Sequence, residues 1–279
     1  MEETFAYCQD LVREADKDRF LATLFAPAER RPFLFALYAF NVEISRAPER
    51  ASESLAGEVR LQWWRDVLDG TRAAEASANP VASALLAAIA WHDLPAAMLV
   101  DLIDAREFDL YDDPMPSIAA LESYARRTAS TLFTLAARIL GAAPASVIAD
   151  PAGIAYAMTG LLRSFAFHAS RRRIYVPVEL LERHGASIAD VLAGRSSPQL
   201  RAALAELRGV ARRHLDVVAA RRGLVSAQTL PAYLPVSLVR GYLDRMERPA
   251  YDPFATAIEV PQWRRQWVLW RAARRGAVG

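Results

Sequence analysis

The sequence has few of the features that mark secreted, nucleic-acid-binding or membrane-spanning proteins. Cys8 is the only cysteine among 279 residues, so an intrachain disulfide is impossible and a reducing compartment is expected. The formal net charge is only +2, which does not favour binding to nucleic acid. No apolar run approaches the roughly 20 residues of a membrane span, and no signal-peptide pattern is found near the start. These absences favour a cytoplasmic protein with a buried core, since 53% of the residues are hydrophobic.

The sequence also lacks the alternation of apolar and polar residues that is typical of β-strands. An all-α protein is therefore expected, folded as one domain over residues 1–279. Residues 33–40, FLFALYAF, are apolar almost all round and predict a helix inside a bundle. Asn79 and Ser117 are candidate N-caps. The predicted helices cover residues 4–20, 28–46, 53–69, 80–92, 95–111, 117–140, 151–169, 198–222, 231–246 and 261–275.

The stretch from Leu161 to Pro177 carries the most informative pattern, a helix followed by the basic turn RRR and the sequence YVP. It resembles the helix-and-basic-turn segment of the squalene/phytoene synthase family. The segments that match other motifs of that family, in the same order along the chain, are residues 38–40, 61–65, 103–110 and 267–271. This resemblance implies an isoprenoid-synthase-like helical bundle around a central cavity.

Enzymes of that family hold Mg²⁺ on aspartates spaced i and i+4, which share one face of a helix. The metal neutralises the diphosphate leaving group as an allylic cation forms. By register, Ser164 and His168 occupy one pair of these positions. The other acidic motif falls on Ser45, Arg46 and Glu49, where only Glu49 is a carboxylate. No catalytic residue, metal site or cofactor is therefore expected, and Mg²⁺ would be needed only if a remodelled site were enzymatic.

Two groups of charged residues remain as candidates for binding. Asp104, Glu107 and Asp109 lie on a helix that borders the cavity in the family. They could bind a cation, but pairing with arginines is favoured by roughly two to one. The second group resembles a segment that lies next to the substrate diphosphate in the family's enzymes. A binding role and a merely solvated basic turn are about equally favoured for it. Its members, candidates for binding diphosphate or a protein partner, are Arg163, Arg171, Arg172, Arg173 and Tyr175.

Aromatic residues suggest what fills the cavity and how the last helix packs. His168 is interpreted as a core or capping residue rather than a metal ligand, by about three to one. Trp263, Trp267 and Trp270 recur at i, i+4 and i+7, which favours core packing over a membrane-interface role by about 60:40. Five phenylalanines lie on the two helices that face the cavity in the family. Some of them, with His168, are expected to narrow it. They are Phe33, Phe35, Phe40, Phe165 and Phe167.

Two short segments resemble one branch of the family in particular. Residues 41–43, NVE, and residues 168–172, HASRR, are similar to the branch that contains a mitochondrial assembly factor for respiratory complex I. This resemblance implies a non-catalytic protein that acts in assembly of complex I (NADH dehydrogenase), by contact with respiratory complex subunits or assembly proteins. It would be cytoplasmic and peripheral on the inner membrane. Two alternatives stay open: a prenyltransferase joining two isoprenoid diphosphates head-to-head, and a protein that binds isoprenoid lipid.

Overall fold

The computed structural model describes residues 2–47, 54–142 and 147–278, the side chain of Ser54 excepted. Over these ranges the chain forms helices and loops and contains no strand, so the all-α prediction is confirmed. Within the same ranges, no helix combines the length and the apolar character needed to cross a bilayer. The α-helices are α1 (Glu2–Ala15), α2 (Lys17–Thr23), α3 (Arg31–Ser45), α4 (Ser54–Leu68), α5 (Ala73–Ala78), α6 (Pro80–His92), α7 (Ala96–Arg106), α8 (Ile118–Ala125), α9 (Thr131–Ile139), α10 (Ala149–Arg163), α11 (Phe165–Ser170), α12 (Val178–Arg183), α13 (Ile188–Leu192), α14 (Pro198–Ala220), α15 (Leu230–Tyr233), α16 (Val239–Met246) and α17 (Gln262–Arg275).

The caps of the helices explain where several of them begin. The side chains of Asn79 and Ser117 accept backbone N–H groups at the starts of α6 and α8, as predicted. The predicted first helix, residues 4–20, is interrupted at Asp16. Asp16 ends it by capping α2, where its carboxylate accepts the backbone N–H of Arg19 at 3.0 Å. The short helices α5, α12 and α13 were not predicted, because five or six residues are too few to show a helical period.

Four further predicted helices are interrupted. Those over residues 95–111 and 231–246 contain 3-10 turns, Glu107–Leu110 and Leu234–Leu238, and the other two interruptions lie beside the cavity. A π-helical turn, Arg126–Ser130, joins α8 to α9, where one continuous helix was predicted. Gly153 of α10 lies against this turn so closely that a Cβ would come within 2.4 Å of the Ser130 Cα. The predicted helix over residues 151–169 breaks at Ser164, whose ψ of 16° is far from the helical value. The break separates α10 from α11 beside the cavity, which Ser164 lines.

The helix α3 lies inside the bundle, as its apolar sequence predicted. Residues 34–44 are all buried, and α3 packs against α1, α6 and α9. The ring of Phe40 meets the edge of Trp64 on α4, with 4.9 Å between centroids. On the other side, α10 packs along α14 and against the π-helical turn. A cavity remains between α3 and the α10–α11 segment.

Candidate functional site

This cavity has a volume of about 490 Å³ and is bounded by α3, α8, α10 and α11. Val42 and Leu161 contribute to its apolar lining. Ser45 on one side and Ser164 and His168 on the other also line it. The two segments that carry metal-binding aspartates in the family therefore meet at one cavity in this chain.

Asp109 is the centre of a buried hydrogen-bond network in the cavity wall. Its carboxylate accepts the Tyr175 hydroxyl at 2.6 Å and the Tyr124 hydroxyl at 2.9 Å. It also pairs with Arg106 at 3.0 Å, and Arg106 reaches the Asn41 side-chain oxygen at 3.4 Å. Burial, and then the negative charge of Asp109, raise the pKa of Tyr175, so this phenol stays protonated and donates. The network fixes Asp109 as an acceptor for protein groups.

A second buried ion pair lines the cavity and was missed in the sequence. Arg19 of α2 pairs with Asp16 at 2.7 Å. The guanidinium lies 4.8 Å from the ring centroid of Tyr156 and 5.5 Å from that of Tyr38. A signal was present, because an N-cap aspartate three residues before an arginine can pair with it across the first helical turn.

Two other arginines give the cavity an excess of positive charge. Arg46, at the end of α3, and Arg173, after α11, both line it. Among the described residues, neither has a carboxylate within ion-pairing distance. Four arginines and two aspartates are found among the described lining residues, so two positive charges are left uncompensated there. Such a site suits an anion, since the guanidinium can donate two parallel hydrogen bonds.

The imidazole of His168 adds no positive charge at neutral pH. Burial lowers the pKa of His168 to about 4; Asp109 opposes this shift, and Arg173 and Arg171 reinforce it. The imidazole lies edge-on to Tyr175, with 4.8 Å between ring centroids. His168 is thus a neutral, partly buried part of the wall.

The described lining residues do not fit a magnesium site of the family's type. The hydroxyl of Ser45 donates to the Val42 carbonyl at 3.1 Å, and both described carboxylates, Asp16 and Asp109, are already bound to arginines. Glu49 lies outside the described residues. Elsewhere in the described ranges, no group of three or more histidine, cysteine, aspartate or glutamate side chains could hold a metal.

The predicted acidic group divides between the cavity and the outer surface. Asp109 lines the cavity, whereas Asp104 accepts the Nε–H of Arg65 at 2.8 Å. Glu107 pairs with the same guanidinium. All three carboxylates therefore pair with arginines, which is the outcome that the spacing favoured over cation binding.

The predicted basic group does not converge on one point. Arg173 and Tyr175 line the cavity. Arg163 lies over the ring of Tyr242, 3.7 Å from its centroid, on the other side of α10. The arginines at 171–172 are exposed beside the cavity. Arg173 and Tyr175 are thus the members of this group placed to meet a molecule in the cavity.

The phenylalanines are likewise dispersed. Phe167, 44% exposed, lines the cavity next to His168. The others pack in the core or against other rings, at Phe33, Phe35, Phe40 and Phe165. Of the predicted set, Phe167 and His168 therefore line the cavity, and many of the other lining side chains are polar or charged.

The residues 41–43 divide between two environments. Asn41 lines the cavity and accepts from Arg106. Glu43 is buried and pairs with Arg60 of α4. The segment 41–43 therefore joins the cavity wall to the packing of α3 on α4.

The tryptophans of the last helix contradict the expectation of core packing. Trp263, Trp267 and Trp270 are 67%, 53% and 42% exposed. The face that α17 buries instead carries Leu269 and Ala272.

Comparison with known proteins agrees with the helical architecture. The sequence model of the squalene/phytoene synthase family matches residues 12–271. NADH dehydrogenase (ubiquinone) complex I, assembly factor 6, of Bos taurus is 31% identical over 258 residues, covering 92% of this chain and 78% of that protein. Phytoene synthase of Thermus thermophilus is 28% identical over 259 residues, covering 91% and 86%. A crystal structure of a dehydrosqualene synthase in complex with ligand superposes with a TM-score of 0.84 at 20% identity, over 98% of this chain and 96% of that one.

Proposed function

The chain belongs to the squalene/phytoene synthase family, and on that premise we propose that it is a non-catalytic member acting in assembly of respiratory complex I (NADH dehydrogenase). The observation that carries the proposal is the composition of the cavity. Serines and His168 stand where the enzymes have metal-binding acids, and the remaining carboxylates, Asp16 and Asp109, are bound to arginines. The similarity to the assembly factor of Bos taurus supports a role in assembly of complex I in place of catalysis.

The physical reason for the loss of catalysis is the loss of charge neutralisation. Ionisation of an allylic diphosphate separates a cation from a highly charged leaving group, and a divalent metal stabilises that group. Arginines bind a diphosphate but supply one positive charge each on a flexible side chain. The proposed protein therefore needs no metal or other cofactor and acts through its surface.

The proposed partners are respiratory complex subunits or assembly proteins, met in the cytoplasm at the inner membrane. The exposed arginines at 171–172 belong to the HASRR segment and lie in sequence between the cavity-lining residues His168 and Arg173. They are candidates for the partner contact, because both are exposed and exposed charged side chains contribute little to stability.

A deletion strain tests this role. Loss of the gene should lower the amount of assembled NADH dehydrogenase on native gels and leave carotenoids, hopanoids and sterols unchanged. Complementation with Arg171→Glu/Arg172→Glu should fail to restore the complex, whereas the matched pair Arg221→Glu/Arg222→Glu should restore it. Normal levels of the complex in the deletion strain, together with a missing isoprenoid product, would replace this function with the prenyltransferase.

A second candidate function, binding of an isoprenoid lipid with an anionic head group, is favoured by Arg46 and Arg173. Their uncompensated charges lie in a cavity that also has an apolar lining. Calorimetric titration with farnesyl diphosphate in the presence of EDTA separates the candidates. Metal-independent binding that Arg173→Gln weakens would support the lipid-binding role, and the absence of binding would leave the assembly role alone.

A further inference from the structure

We propose that the groove between α2 and α17 docks this protein on an anionic lipid bilayer. The groove has a volume of about 560 Å³. Its lining is apolar except for one amide, and consists of Leu21, Leu24, Phe25, Trp263, Gln266, Trp267 and Trp270. Phe25 is 38% exposed, and Trp267 and Trp270 stack with 5.0 Å between ring centroids. This is a continuous aromatic surface in contact with solvent, a feature that marks an interaction site.

The helix α17 presents this surface as a firmly held element. Leu269 and Ala272 are buried on its opposite face. Arg265 is directed to the buried Asp18 of α2, with 3.4 Å between the nearest atoms. The helix ends at Gly276, whose φ of 67° is the left-handed conformation of a C-cap. The tryptophans are therefore exposed because α17 is fixed with its other face inward.

The spacing along α17 places arginines beside the tryptophans. With about 3.6 residues per turn, Trp263, Trp267 and Trp270 share one face, and Arg264 and Arg271 follow about 100° round the helix. Arg274 falls on the tryptophan face itself, where its guanidinium lies 5.4 Å from the ring centroid of Trp270. The exposed side of the helix is thus both aromatic and cationic.

The exposed charges on α2 and α17, both of which the structure describes in full, are all positive. The only carboxylate of α2 and α17 is Asp18, which is 5% exposed. Burial, and then the nearby charges of Arg264 and Arg248, lower the pKa of Arg245 on α16. Arg245 and Arg248 therefore lie close enough to Arg264 to add positive charge near α17. The exposed cations on the two helices are Lys17, Arg264, Arg271, Arg274 and Arg275.

An anionic bilayer is the occupant that fits both properties. Tryptophan rings are enriched where hydrocarbon meets head groups, because one part of the ring is apolar and its N–H is polar. Arginines beside them extend to lipid phosphates and are attracted by anionic lipids. The cations are spread over 12 residues of α17, about 16 Å along the helix axis, which suits a broad surface better than a single carboxylate. The inference does not depend on the assembly role, since the purified protein tests it alone.

The experiment measures sedimentation of the purified full chain with vesicles of phosphatidylcholine, with or without phosphatidylglycerol. Binding should require phosphatidylglycerol and weaken as salt rises, because exposed charges are screened. Trp263→Ala/Trp267→Ala should lower the partition coefficient about tenfold or more, and Arg271→Glu/Arg275→Glu should do the same. The control Trp91→Ala removes a tryptophan that is 73% exposed on α6, outside the groove, and should leave binding unchanged.

Three results would overturn the proposal. They are absence of binding to anionic vesicles, binding that the groove variants leave unchanged, and a dimer in light scattering that Trp263→Ala/Trp267→Ala converts to monomer. The last result would assign the groove to a second copy of the chain. Thermal unfolding followed by circular dichroism should show the same transition for the variants and the wild type, because the substituted side chains are exposed.

Discussion

At the scale of single residues, Asp109 is the group on which most of the cavity wall depends. One buried carboxylate accepts two tyrosine hydroxyls and pairs with Arg106. Asp109→Ala would leave that guanidinium buried without its counter-ion, so we expect a loss of about 3–5 kcal/mol in the free energy of unfolding. Urea denaturation measures it. Asp104→Ala is the control, because Asp104 is 41% exposed in its pair with Arg65, and its cost should be below about 1 kcal/mol. Equal costs for the two variants would contradict the network.

His168 should make the protein sensitive to mild acid. Its pKa is lowered from an ordinary value near 6.5 to about 4, so the unfolded chain binds the proton more tightly than the folded one. The folded state is therefore fully favoured above pH 6.5 and loses stability as the pH falls towards 4, by on the order of 2–3 kcal/mol.

The variant His168→Gln isolates this contribution, because glutamine stays neutral throughout. We expect its free energy of unfolding, relative to that of the wild type at each pH, to improve between pH 6.5 and 4. Normalising to pH 8 removes the cost of changed packing. A difference that is constant with pH would show that His168 titrates normally.

At the scale of helices, the crossing of α10 with the π-helical turn sets the geometry of the cavity wall. A Cβ on Gly153 would come within 2.4 Å of the backbone of Ser130, which cannot move as a flexible side chain could. Gly153→Ala should therefore cost about 2 kcal/mol or more through overpacking.

A second glycine of α10 supplies the matched control. Nothing lies within 4 Å of a Cβ placed on Gly160, so Gly160→Ala should be neutral or stabilising by up to about 1 kcal/mol, from helix propensity alone. Thermal unfolding of the two variants compares them in one helix. If Gly153→Ala were as stable as Gly160→Ala, the close approach would be wrong.

Sequence reasoning found the helices but not all of their interruptions. Caps at Asn79 and Ser117 act through neighbouring backbone N–H groups, so local sequence reveals them. The π-helical turn depends on Gly153, which is more than 20 residues away along the chain, and no local period reports it. The exposure of the tryptophans on α17 was missed for a similar reason. Their helical spacing shows that they share one face, but only tertiary packing decides that the face with Leu269 and Ala272 is the buried one.

At the scale of the whole molecule, the resemblance to the family's motifs identified residues that lie together in the cavity. Ser45, Ser164 and His168 were predicted from motif positions and do line it together. The Asp16–Arg19 pair escaped because it belongs to a helix boundary that was predicted wrongly. The dispersal of the basic group was not predicted either, since Arg163 contacts the distant Tyr242 and Arg172 adopts a left-handed φ of 60°, and spacing reveals neither feature.

Catalysis in the family needs two metal-binding acidic motifs that face each other across the cavity. The outcome of an activity assay therefore depends on both sides of the cavity. We expect no magnesium-dependent release of diphosphate from farnesyl or geranylgeranyl diphosphate, because losing Lewis-acid stabilisation costs several kcal/mol and each 1.4 kcal/mol is about tenfold in rate. Ser164→Asp/His168→Asp should not restore turnover, since Ser45 and Arg46 remain on the facing segment. A coupled assay for inorganic diphosphate measures this, with an active phytoene synthase run alongside. Multiple turnovers by the wild type would refute the non-catalytic assignment. Turnover only by the double variant would show that a single acidic platform is sufficient in this cavity.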